Sequence, residues 1–145
     1  MKRRMHIACT IACTVWLVVS CASTVPPMAE TALDWQSVAD VGVPTIVTRE
    51  PDGGERVTKL WLAVVDGEGL IRTGDSRWFR NIERDPNVVF RIGGYAYPLR
   101  AEVVTDESLE KRANAAFREK YGWQDWIIHP FGEPDANLMR LVPRD

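Results

Sequence analysis

Cysteine and histidine are scarce in this chain, and their scarcity excludes several chemistries before any motif is read. The cysteines are Cys9, Cys13 and Cys21, with none beyond, and the histidines are His6 and His129. After position 21 there is therefore no disulfide, cysteine nucleophile or redox pair. One histidine with scattered carboxylates does not make a zinc site, so no metal centre is expected. Excess charge is missing too. Eighteen lysines and arginines face 20 acids, a formal net charge of −2, which leaves no electrostatic footprint for nucleic acid. Long apolar runs are limited to Ile7–Val19, which is short for a bilayer span.

That run sits inside a targeting pattern. Lys2, Arg3 and Arg4 precede it, and Val18-Val19-Ser20-Cys21 closes it. A positive start, an apolar middle and a small residue before a cysteine are what a lipoprotein signal needs: a small residue at the cut, then a thiol that carries diacylglycerol. The expectation is a signal peptide over 1–20, a tether over 21–30 and one domain over 31–145. Cys21 would be the lipidated residue, and the location the cell envelope, on a periplasmic or extracytoplasmic face. An uncleaved N-terminal anchor is the alternative. Arg3-Arg4 also leaves the twin-arginine route open beside the general secretory one.

Removing 1–20 leaves about 125 of the 145 residues, enough for one domain with a real core. Along it, Ala29–Ala39 carries Leu33, Trp35 and Val38 and is expected to form a short helix. Thr45-Ile46-Val47-Thr48 is a β-branched run, closed by the turn residues Pro51-Asp52-Gly53-Gly54. Arg56–Val65 reads as the next strand, Asp66-Gly67-Glu68-Gly69 as a turn, and Leu70–Thr73 as a short strand. The period then changes. Asp75 or Ser76 can cap a helix to Arg84 that buries Trp78 and Ile82 at i and i+4. Asp85-Pro86-Asn87 stops it. Val88–Ile92, Gly93-Gly94 and Tyr95–Val104 read as strand, turn and strand, with Pro98 marking an edge or a bulge. Asp106–Tyr121 is the clearest helix, with Leu109, Ala113, Ala116 and Phe117 as its stripe and Gly122 as its stop. Trp123–Asn137 is irregular and aromatic-rich, and Leu138–Val142 a last strand. Five or six short strands joined mostly by tight turns suggest an antiparallel barrel, not a parallel sheet.

The chemistry concentrates where a strand runs through Gly74 into the start of a helix. Thr73 and Ser76 offer hydroxyls, Arg72 and Arg77 offer guanidinium forks, and the first helical N–H groups lack partners. This is a phosphate cradle, or equally a capped helix with solvated arginines. No Ser-His-Asp set, P-loop or paired-carboxylate site stands out. Trp123, Trp126, His129 and Phe131 could cover a planar ligand or simply pack on the barrel end, and His129 could donate a proton to a bound substrate.

Three stretches carry a family resemblance: Thr73-Gly74-Asp75-Ser76-Arg77, then Trp78-Phe79-Arg80-Asn81-Ile82, then Asp85-Pro86-Asn87-Val88, with the later strand Tyr97–Val104. They resemble the flavin-binding split-barrel superfamily, which includes pyridoxamine-phosphate oxidases and deazaflavin-dependent nitroreductases. The likeness runs roughly from Pro44 to Val142. It implies a mainly β (α+β) fold, a six-stranded antiparallel Greek-key split barrel with flanking helices. It implies a homodimer, with FMN or a deazaflavin at the subunit interface. Carried over position by position, Thr73, Ser76, Arg77 and Trp78 fall on cofactor-binding positions, and Lys59 on the strand that passes the ring or phosphate. In an outward-facing alternation Lys59 is instead a solvated lysine. Arg77 stands where lysine is commoner, and Asp75 sets a negative charge beside it. The leading expectation is a lipid-anchored flavin-binding protein, an oxidoreductase acting by hydride transfer on a small molecule. The alternative is a non-catalytic envelope lipoprotein that binds a planar ligand or a protein partner.

Overall fold

The computed structural model describes residues 25–122 and 136–144. The β-branched and aromatic runs form seven strands: β1 Thr45–Arg49, β2 Glu55–Lys59, β3 Leu62–Val65, β4 Glu68–Thr73, β5 Asn87–Ile92, β6 Tyr95–Val103 and β7 Asn137–Pro143. Two helices interrupt them, α1 Arg77–Arg84 and α2 Glu107–Tyr121. All seven strands join one antiparallel sheet in the order β2-β1-β5-β6-β7-β4-β3. Its two edge strands, β2 and β3, are separated in the chain only by Leu60 and Trp61. Leu60 N–H donates to Pro44 O and so prolongs the β1 pairing into the corner. Counted as one bent strand, β2–β3 turns seven strands into six and links the sheet's two edges through the chain. β5 returns to lie beside β1, which is Greek-key order.

The curl shows in what the strands enclose. Ile46, Leu62, Ile71, Phe90, Leu99 and Met139 come from six different strands and share one core. The α1 helix adds Trp78, Phe79 and Ile82 to it. Ser76 starts that helix, its Oγ accepting from Phe79 N–H at 3.2 Å. A second, outer core lies under α2. There Leu109, Ala113, Phe117 and Tyr121, spaced by four, cover Ala63, Leu70 and Leu138 of the sheet. Asp106 caps α2 by accepting from Ser108 and Leu109 N–H.

The end of α2 clips the β2–β3 corner. Tyr121 Oη accepts from Leu62 N–H at 2.9 Å and donates to Gly42 O at 2.7 Å. Lys120 Nζ donates to Val41 O and Leu62 O at 2.8 and 2.9 Å. Burial pushes the Tyr121 phenol above its ordinary pKa and the Lys120 ammonium below its own. Tyr121→Phe keeps the ring but leaves the Leu62 N–H without its acceptor. Urea unfolding should register a loss of about 1–3 kcal/mol, the penalty for an unsatisfied buried donor. A loss under a few tenths would show that water replaces the hydroxyl.

Three expectations change. Ala29–Ala39 is not a helix; only a 3-10 turn forms, Gln36–Val38. The reason is tertiary: Ala29 N–H and Pro27 O pair with Ala96 of β6, and the Trp35 ring packs against Phe90 with centroids 5.9 Å apart. Arg56–Val65 is two strands, not one, broken at the corner. Gly69 is not a turn residue but a buried member of β4, and a Cβ there would run into the Trp35 ring. Gly69→Ala should therefore cost about 1–3 kcal/mol, as overpacking does. Combining it with Trp35→Ala should cost less than the two separate losses summed, and strict additivity would sink the contact.

Pro98 is an edge in a local sense. β6 has β5 along one side, but β7 reaches back along the other only to Leu99, opposite Pro143. Ala96 N–H points away from β5, to Pro27 O, and Ala101 N–H points toward it, to Pro86 O. By that alternation position 98 aims its nitrogen where β7 has already ended, so the missing N–H costs nothing there.

Candidate functional site

β4 ends at Thr73 and α1 begins at Arg77, so Gly74-Asp75-Ser76 must turn the chain within three residues. The turn brings Thr73 Oγ1 to 3.1 Å from Ser76 Oγ. Ser76 Oγ thus faces Thr73 on one side and the Phe79 N–H on the other. The N–H groups of Arg77 and Trp78, first in the helix, have no intrahelical acceptor. Asp75 is paired with Arg80 at 2.7 Å, which offsets its negative charge beside the helix start.

Arg77 reaches across to the β1–β2 hairpin. Its Nη2 lies 3.2 Å from Glu50 Oε2, while the guanidinium remains 65% exposed. The other oxygen of Glu50 is bonded by Arg56 Nε. One carboxylate, 12% exposed, therefore holds two arginines together. Burial pushes the Glu50 carboxyl up, but the hydrogen bond and charge of Arg56, and then those of Arg77, more than offset it and hold the group below its ordinary pKa.

The residues expected at the site part company here. Thr73 and Ser76 come together, and Arg77 follows Ser76 in the chain but carries its guanidinium to Glu50. Trp78 begins the same helix but is buried in the inner core. Lys59 ends β2, exposed and opposite Thr45 of β1, and among the described residues no hydrogen bond or ion pair links it to the other three. Cys21, Trp123, Trp126, His129 and Phe131 lie outside the described residues. Glu50 was not legible as a site residue. Its pairing with Arg56 follows from the hairpin, since the two lie on either side of the Pro51–Gly54 turn, but its contact with Arg77 crosses 27 residues of sequence.

A groove of about 210 Å³ is lined by Val47, Arg49, Glu55, Asp85, Asn87 and Arg144 among others; it lies toward the Asp85 end of α1, and none of Thr73, Ser76, Arg77, Glu50 and Arg56 lines it. It is smaller than the 300–1,000 Å³ usual for a drug-sized ligand. Next to it the sheet's outer face carries a row in cross-strand register, Val57, Val47, Val89 and Pro98. Val57 and Pro98 are exposed. No group of histidines, cysteines and acids fit to hold a metal occurs among the described residues.

No protein-family model matches this chain. No curated protein matches its sequence. Solved structures do share its fold. A conserved hypothetical protein of Mycobacterium tuberculosis aligns with a TM-score of 0.61 at 24% identity, over 83% of this chain and 87% of that one. The heme storage protein HutZ of Vibrio cholerae aligns at 0.59 and 18% identity, over 76% and 84%. A FAD-binding protein of Mesorhizobium loti aligns at 0.56 and 15% identity, over 79% and 91%. At these identities the likeness is one of fold: mainly β with two helices, an antiparallel sheet curled as in a split barrel.

Proposed function

We propose that this chain is a lipid-anchored flavin-binding protein of the cell envelope, holding FMN or a deazaflavin and acting as an oxidoreductase on a small molecule. The observation that carries the reading is the β4–α1 junction. Two first-turn N–H groups without intrahelical acceptors and two hydroxyls meet there, and Arg77, whose guanidinium rests on Glu50, starts from the same helical turn, on a fold shared with a FAD-binding protein. These residues fit a phosphate: Arg77 is mostly exposed and, among the described residues, its side chain is held by one ion pair to Glu50, so it can turn to an incoming anion. A bound flavin would itself supply the hydride chemistry. The chain's part is to grip the phosphate with Thr73, Ser76 and Arg77 and to exclude water from the ring. The apolar row Val57, Val47, Val89 and Pro98, exposed at Val57 and Pro98, is the surface through which a second copy would pack as a homodimer.

The test is flavin titration by fluorescence quenching. Arg77→Ala should weaken binding by one to two decades, the value of a charge-assisted hydrogen bond of about 1.5–3 kcal/mol. Arg84→Ala, at the far end of α1 where the helix dipole repels anions, should leave binding near that of wild type. Arg84 also donates to Arg49 O, so both variants need a check of folding. Equal affinities for the two would sink the cradle.

A second reading rests on the likeness to a heme storage protein: the barrel holds heme without catalysing a reaction. His129 is the one histidine after Cys21 and would be the iron ligand. Hemin titration separates the readings. A sharpened Soret band that His129→Ala removes would favour heme; quenching of FMN or deazaflavin with no hemin response favours flavin.

A further inference from the structure

Among the described residues, four of the six large exposed hydrophobics gather at one end of the barrel: Val25 at 69% exposure, Met28 at 54%, Val43 at 53% and Tyr95 at 50%. Tyr95 is common to two shallow grooves there. One passes Val43, Arg91 and the Gly93-Gly94 turn, and the other, of about 550 Å³, passes Pro27, Met28 and Tyr97. The two glycines, at φ 60° and 84°, make the tight turn that presents Tyr95 at the tip of the β5–β6 hairpin. The chain enters the fold through this patch, where Ala96 N–H donates to Pro27 O and Ala29 N–H to Ala96 O, at 2.9 and 2.8 Å.

We propose that this patch is the membrane-facing surface of the protein, laid against the headgroup layer of the bilayer that holds the lipid on Cys21. The inference rests on the lipid-anchor reading and adds an orientation to it. Val25, itself part of the patch, is only four residues after Cys21. A fully extended chain covers at most ~3.6 Å per residue, so the tether reaches about 14 Å. That is well short of the width of a domain this size, whose radius of gyration alone is about 13–14 Å. Because Pro27 and Ala29 are fixed to β6, the barrel cannot swing its far side to the membrane without unpairing them. The chemistry of the patch suits the place. Tyrosine with an apolar body and a polar tip belongs at headgroup depth. Arg91 brings a cation to the groove wall. An anionic phospholipid headgroup would supply its counter-charge. Glu30, on the rim of the second groove, opposes anionic lipid and sets the limit of approach.

No cysteine follows Cys21, so single labels can be placed at will. Val43→Cys, Tyr95→Cys and Val103→Cys would each be made in the full chain, lipidated in cells, spin-labelled and reconstituted into phosphatidylethanolamine–phosphatidylglycerol vesicles. Val103, 56% exposed near the other end of β6, is the matched control. The ratio of oxygen to nickel-chelate accessibility should be several-fold higher at positions 43 and 95 than at 103. Equal ratios in vesicle-bound protein overturn the orientation and leave the anchor standing. Protein that never enters vesicles because Cys21 carries no lipid overturns both.

Discussion

Cells fed labelled palmitate should transfer the label to the wild-type chain, and Cys21→Ala should abolish the label and release the protein from the membrane fraction. The effect is all-or-none because the covalent site is one sulfur. The physical case lies in the order of the first residues: three cations at 2–4, an uncharged apolar run to Val19, then Ser20 before Cys21. Each methylene buried in the bilayer adds about 0.8 kcal/mol, so a diacyl or triacyl anchor dwarfs what any surface patch contributes. No described helix is long and apolar enough to cross a membrane, so nothing in the described domain would substitute for the lipid as a spanning helix. Undiminished label in the mutant, or retention of unlabelled mutant after a salt wash, would end the anchor reading.

Phe117→Ala should be the most damaging single change in the domain, costing about 3–5 kcal/mol in urea unfolding. Phe117 is fully buried in the outer core, with the Arg72 guanidinium 4.4 Å from its ring centroid and the Tyr121 ring 6.2 Å away. Deleting it leaves a void between α2 and the sheet. Against a typical net stability of about 5–15 kcal/mol, that is a large fraction. The two cores are separate clusters, and Phe117 belongs to the outer one alone. The loss should therefore be local first. Amides of α2 should exchange faster while those of β5 and β6, flanking the inner core, stay protected in proportion to what global stability remains. Uniform acceleration across both layers would show that the cores melt together.

What could be read from the sequence was what a short window contains. Ser76 announces its helix because a cap is decided within three residues. The spacing of Leu109, Ala113 and Phe117 announces the buried stripe, and Gly93-Gly94 its hairpin. The misread positions are those fixed from afar. Gly69 looks like a turn glycine beside Gly67, yet its small size serves a tryptophan 34 residues earlier. The corner at Leu60-Trp61 is held by Tyr121, 59 residues from Leu62. Trp78 shows how one helix divides its duties. It stands one residue from Arg77, but the helical period sends it into the core with Ile82, and the charge of Arg77 outward. The contact of Thr73 with Ser76 was legible because the two are close in sequence. The Glu50 carboxylate was not, because only the folded barrel brings the hairpin to the helix.

The position of β7 has a consequence for how the molecule assembles. It lies between β6 and β4, yet it comes last in chain order. Before it docks, β2-β1-β5-β6 and β4-β3 share no strand pairing, and the inner core lacks Met139 and Leu141. Closing the barrel must await a segment more than 60 residues beyond β4, a non-local step of the kind that makes β topologies slow to fold. Until that segment arrives, the inner core stays open along the seam between β6 and β4.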